Sequence, residues 1–188
     1  MARTKEFDKE MALDAAIGVF REHGFHGTST DMLVRAMKIG RQSLYDTFGD
    51  KWKLYCLAVE RYSTEETNAH LVMLRKEPRA VESIQAMMDR VVETAEQACL
   101  GISSICEFGQ SRAELTHIYQ TADRRLMHAT RQRLDEARAA GDISGTLSSD
   151  EMADFLFASV AGIRIAARSG ASRKQLKSLG RLALRAID

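Results

Sequence analysis

Apolar residues recur along most of this chain at steps of three and four, the spacing that places them on one face of an α-helix. Ala12, Leu13, Ala16, Val19 and Phe20 form such a face, and Gly24 ends the first predicted helix. Thr28-Ser29-Thr30-Asp31 can cap a second helix of roughly residues 30–37, whose apolar content is Met32, Leu33, Val34, Ala36 and Met37. Lys38-Ile39-Gly40 is then a three-residue break, the connection length of a helix-turn-helix, before a short segment from Arg41 to Phe48. After Gly49, Asp50 can cap a long helix running from Lys51 through Leu54, Leu57, Ala58 and Tyr62 toward Leu74, and Pro78 closes this first part.

Beyond Pro78, the positions Val81, Ile84, Met88, Val91, Ala95 and Ala98 predict an amphipathic helix that Gly101 is expected to stop, followed by a short piece up to Phe108. Three capping boxes mark later helix starts: Ser111 with Glu114, Ser148 with Glu151, and Ser172 with Gln175. Gly141 and Gly170 stand where left-handed C-cap residues belong. About nine helices and no strand result, so the expected fold class is all-α. A single proline among 188 residues agrees with that reading.

Charge narrows the partners. Twenty-seven basic and 26 acidic residues leave a formal net charge of +1, so no global field draws the chain to a polyanion and any such binding needs a local patch. Cys56, Cys99 and Cys106 form no CxxC pair, which argues against a disulfide framework or a structural zinc and for a reducing cytoplasm. The charged stretch from Met1 to Glu10 lacks a signal peptide's apolar core. The most apolar run, Met152 to Ala167, contains Asp154 and Arg164 and is shorter than the ~20 residues of a bilayer span, so no membrane association is expected.

At 100° per residue, a helix over 41–48 turns Leu44 and Phe48 inward and Gln42 and Asp46 outward, flanked by Ser43 and Tyr45. Such a polar edge can hydrogen-bond base edges in a major groove. Five cations (Arg35, Lys38, Arg41, Lys51 and Lys53) against Asp46 and Asp50 give +3 between residues 35 and 53, and Arg3 and Lys5 add a basic arm. No Gly-rich phosphate loop, GxSxG elbow or HExxH motif supports the competing class, a helical-bundle enzyme. A protein-interaction module is a third class. His23 and His26 lack further ligands, so no metal site is expected, and no cofactor is called for.

The stretch Ala12-Leu13-Asp14-Ala15-Ala16 with Val19-Phe20, Gly24-Phe25, Thr28-Ser29-Thr30 and above all Ser43-Leu44-Tyr45-Asp46-Thr47-Phe48-Gly49-Asp50-Lys51 resembles the tetracycline-repressor (TetR) family of transcription regulators. The resemblance covers roughly residues 8–60. It implies an N-terminal three-helix helix-turn-helix DNA-binding domain over 1–50, a connecting helix over 51–77, and a C-terminal helical-bundle ligand-binding and dimerisation domain over 78–188. It further implies a repressor that a small-molecule effector releases from a double-stranded operator. By position, DNA contacts fall on Thr30, Arg41, Gln42, Ser43, Tyr45, Thr47 and Lys51, with Asp46 beside them. Three features depart from the family pattern: Lys38 replaces the turn glycine, Gly40 replaces the usual cap residue, and Asp46 presents an acid. That acid repels phosphates, yet it can accept from cytosine N4 and favour one base.

In the C-terminal part, Met87, Met88, Cys106, Phe108, His117, Met127 and Phe155 lie on helices that resemble the family's pocket walls, and flexible methionines suit apolar ligands. A homodimer interface is expected where small and apolar residues of the last two helices allow close packing: Phe155, Ala158, Ala161, Gly162, Ile165, Leu176, Leu179, Leu182 and Ala183. Arg173, Lys177, Arg181 and Arg185 read as a solvated face. Cys99 and Cys106 leave open a thiol-responsive variant of the regulator.

Overall fold

A computed structural model describes residues 7–187; the arm residues Arg3 and Lys5 lie outside the described residues. The fold is all-α. Nine helices run α1 Lys9–His23, α2 Thr30–Met37, α3 Arg41–Phe48, α4 Lys51–Met73, α5 Ala80–Glu93, α6 Leu100–Phe108, α7 Ala113–Ala139, α8 Ser149–Arg168 and α9 Arg173–Arg185 among the described residues.

Local chemistry sets the bounds of the N-terminal helices. The Asp8 carboxylate accepts from the backbone of Glu10 and Met11 to open α1, and Ser29 Oγ accepts from Met32 N to open α2. These side chains satisfy N–H groups that have no partner within the helix. α2 ends at Lys38, whose φ of 55° is left-handed. A side chain there costs about 1–2 kcal/mol. Lys38→Gly should therefore raise stability by about 0.5–1 kcal/mol, net of the extra freedom glycine gives the unfolded chain, read as a higher urea midpoint at unchanged slope. Gly49, at φ 77°, turns α3 into α4, where Asp50 Oδ1 accepts from Lys53 N at 2.8 Å.

Two compact units form. One runs up to Ser63 and includes Leu100–Tyr119; the other comprises Thr64–Cys99 and the chain from Gln120 onward. The sequence grouped 100–119 with the C-terminal body, whereas its contacts are with α1 and α4. In this first unit Ala16, Phe20, Leu33, Leu44, Leu54, Tyr55 and Leu115 are fully buried.

The second unit packs α5, α8 and α9 around Ile84, Met87, Met88, Val91, Leu134, Leu156 and Ile163. α5 stops at Glu93, not at Gly101, which lies inside α6. The reason is Thr94: its hydroxyl donates to Arg90 O, and its own carbonyl is taken by Arg164 Nη1 at 2.7 Å. Arg164 is 6% exposed, and its Nη2 reaches Thr94 Oγ1 at 3.1 Å and Glu66 Oε2 at 3.4 Å. Glu66 also receives Arg90 at 2.9 and 3.2 Å. Burial pushes the Glu66 carboxyl up, but Arg90 and Arg164 outweigh it and its pKa ends below the ordinary value. His70, beside them, is held neutral by burial and then by Arg90, with its pKa lowered to about 4.

Both capping boxes at Ser148 and Ser172 form as expected. Ser111 does not cap α7; its hydroxyl donates to Phe108 O at 2.6 Å, and the helix begins at Ala113. α9 crosses α5 at Gly180, where a Cβ would stand 2.7 Å from Val92.

Candidate nucleic-acid interface

α3 is anchored on one side and open on the other. Leu44 and Phe48 are 0% and 6% exposed, and burial of such side chains is worth about 1.5–3 kcal/mol each. Gln42, Tyr45 and Asp46 on the far side are exposed, while Ser43 and Thr47 flank them half-buried. Tyr45, at 42% exposed, is not absorbed by packing on α1. Thr30 opens α2 and is also half-buried.

The polar side chains are not independent. Arg41 Nη2 lies 2.6 Å from Asp31 Oδ1 on α2, and Gln42 Nε2 donates to Asp46 Oδ1 at 2.8 Å. Asp31 carried a capping reading in the sequence; its pairing with Arg41 depends on the angle between α2 and α3. Lys51 donates to Phe25 O at 2.9 Å and Thr28 O at 2.8 Å, with its ammonium 4.2 Å from the Phe25 ring centre. Two of its three donors thus pin the α1–α2 loop, which leaves one for a phosphate.

The same loop is held from its other side by Glu107 of α6, a residue that carried no signal in the sequence. Its carboxylate accepts from Phe25 N at 2.9 Å and His26 N at 2.8 Å and pairs with His26 Nδ1. Burial raises the Glu107 pKa, but the two backbone N–H groups and the His26 ring lower it further, so the net shift is downward. Phe108 stacks into the Phe25, Trp52 and Tyr55 rings at 5.3–5.8 Å. The arrangement is a hydrogen-bonded, aromatic support beneath an exposed, mixed-polarity helix edge, chemistry suited to base edges and phosphates.

The seven expected ligand-pocket residues divide between the units: Cys106, Phe108 and His117 belong to the first, and Met87, Met88, Met127 and Phe155 to the second. Met87 and Met88 are buried in the second unit's core, Phe108 belongs to the aromatic cluster just described, and Cys106, His117 and Phe155 are exposed. Met127 packs half-buried on the core. A cavity of about 620 Å³ opens between α5 and α9, floored by Val81, Ile84, Val92, Ile143 and Leu184, and none of the seven lines it. Of the expected dimer residues, Phe155, Ile165, Leu179 and Leu182 are 39–54% exposed, and Ala158 and Gly162 are exposed with Ala161 half-buried. Leu176 and Ala183, at 1% and 4% exposed, are instead covered by their own chain, because α9 is apolar on two sides.

The family model for bacterial regulatory proteins of the tetR family matches residues 12–55. The HTH-type transcriptional regulator YezE of Bacillus subtilis (strain 168) is 34% identical over 151 residues, 77% of this chain and 77% of its own length. The HTH-type transcriptional repressor ComR of Escherichia coli (strain K12) is 27% identical over 191 residues, 97% of this chain and 90% of its own. Among solved structures, a cysteine mutant of the TetR family transcriptional regulator CifR complexed with 26-base-pair double-strand operator DNA superposes with a TM-score of 0.84 at 26% identity, covering 99% of this chain and 100% of that one. A helix-turn-helix with an open α3 edge, together with these likenesses over nearly the whole length, makes this chain a member of the TetR family, a DNA-binding transcriptional regulator.

Proposed function

We propose that the chain is a homodimeric cytoplasmic repressor that holds an operator through two α3 edges and is released by a small-molecule effector. The observation that carries the reading is the exposure of Gln42, Tyr45 and Asp46 opposite the buried Leu44 and Phe48. The exposed apolar stripe of Phe155, Ile165, Leu179 and Leu182 supports pairing of two chains, since single exposed residues are ordinary and a continuous stripe on two adjacent helices is not. The name of ComR as a repressor and the operator complex of CifR point the same way.

Two heads then meet half-sites about 34–36 Å apart, or a multiple of that, on one duplex face. Effector and DNA oppose each other reciprocally, with a coupling of typically ~1–3 kcal/mol. Thr30, Arg41, Gln42, Ser43, Tyr45, Thr47 and Lys51 serve as the contacts with Asp46 beside them, Arg41 and Lys51 on phosphates through the donors that Asp31 and the loop carbonyls leave open.

The test is a salt titration of duplex binding, with sedimentation of the complex to count two chains per site. Log affinity should fall linearly with log salt, and Arg41→Ala should reduce the slope by about one contact. Binding that is indifferent to salt, or a complex with a single chain, would remove the proposal. Reciprocity is checked by whether an effector that lowers operator affinity binds the free protein more tightly by the same factor.

A further inference from the structure

The outward edge of α3 carries an amide and a carboxylate already joined, Gln42 Nε2 to Asp46 Oδ1 at 2.8 Å, both exposed. A carboxylate only accepts, so the nitrogen end of the amide must face it. The amide flip, which an isolated glutamine leaves open, is decided here by Asp46. Gln42 keeps Oε1 and a second N–H: one acceptor and one donor.

That pair complements adenine, whose major-groove edge offers N7 as acceptor and the N6 amino group as donor. Guanine offers N7 and O6, both acceptors, and would set O6 against Oε1 and against the negative charge of Asp46. The second Asp46 oxygen can take an amino proton from an adjacent base. Arg41, the nearest residue of the kind that reads guanine, is held by Asp31 at 2.6 Å.

We infer that Asp46 is a specificity-determining residue that acts through Gln42: it fixes the amide so that the pair reads adenine and rejects guanine at one position of each half-site. This rests on the operator reading above and adds the base class that one contact demands. It also separates two properties of the acid, since the charge that weakens attraction to phosphates is the charge that sets the amide.

The experiment is selection of bound duplexes from random DNA at fixed salt, followed by competition between adenine and guanine at the selected position, for the parent, Asp46→Asn and Gln42→Ala. The parent should enrich a site with adenine at one position per half-site and discriminate against guanine there by about tenfold, the range of one bidentate contact. Asp46→Asn, which can meet either end of the amide, should bind duplexes overall more tightly while discrimination falls to about twofold. Gln42→Ala should lose the preference at that position and keep the rest of the site. Because both residues are exposed, thermal midpoints close to the parent's confirm that the variants fold.

Undiminished discrimination in Asp46→Asn overturns the inference. So does a preference that survives Gln42→Ala, or an enriched site with no adenine within reach of α3; in all three cases operator binding itself stands. A parent protein that enriches no sequence overturns the operator reading instead.

Discussion

Glu66→Ala is expected to lower folding stability by about 3–5 kcal/mol, the range for breaking a buried ion pair from one side. Arg164 is 6% exposed and is tied to the Thr94 carbonyl, so it cannot swing to water when its carboxylate is gone. Arg90 then faces it with no carboxylate between them, and the folded chain keeps one buried and one half-buried guanidinium without their anion. The measurement is the urea midpoint; a loss below about 1 kcal/mol would mean that solvent reaches both cations.

The same cluster fixes a pH dependence. His70 binds its proton near pH 6.5 when unfolded but only near 4 when folded, because burial and Arg90 oppose the charge. The unfolded chain therefore takes up more protons between those values, and stability present above pH 6.5 is lost as pH falls toward 4. At about 1.36 kcal/mol per pKa unit the loss is about 3 kcal/mol. Glu66, whose folded pKa is depressed, loses its contribution in the same direction at lower pH. Thermal midpoints from pH 7 to 4 should fall steeply for the parent and less steeply for His70→Gln; parallel curves would remove His70 as the cause.

Glu107→Ala is the second large effect. Three donors from Phe25 and His26 lose a charged acceptor, and hydrogen bonds to charged groups contribute about 1.5–3 kcal/mol each without adding fully. A destabilisation of about 2–3 kcal/mol is expected, together with weaker operator binding, because the freed loop also carries the two carbonyls that seat Lys51. Glu107→Gln is the discriminating variant: its NH2 would confront a backbone N–H, so it should recover little of either loss. Full recovery would show that the negative charge is unimportant and that the side chain acts by shape.

What could be read from the residues was local. α2 and α3 lie where the apolar spacing put them, and Leu44 and Phe48 face inward as 100° per residue demands. A cap such as Ser148 with Glu151 is written within four residues and forms as written. Apart from Ser111, whose hydroxyl bonds Phe108 three residues back instead of capping α7, the failures involve distance along the chain. α5 stops at Glu93 because Arg164, 70 positions beyond Thr94, takes the Thr94 carbonyl. Glu107 meets its partner loop across 81 positions. Periodicity could not distinguish the Leu176 side of α9, which its own chain covers, from the Leu182 side, which it leaves open. Among the DNA-facing residues, types and positions were legible, but their pairing was not: Asp31 with Arg41 required the angle between two helices.

That pairing has a consequence for kinetics on a genome. Under the operator reading, Arg41 and Lys51 meet an arbitrary stretch of duplex already engaged by Asp31 and by loop carbonyls, so each displaces fewer counterions there than a free cation would, and the grip is briefer. Short stays at the many wrong addresses leave more of each copy's time for the right one. A modest number of molecules can then keep a target occupied despite millions of competing steps along the chromosome.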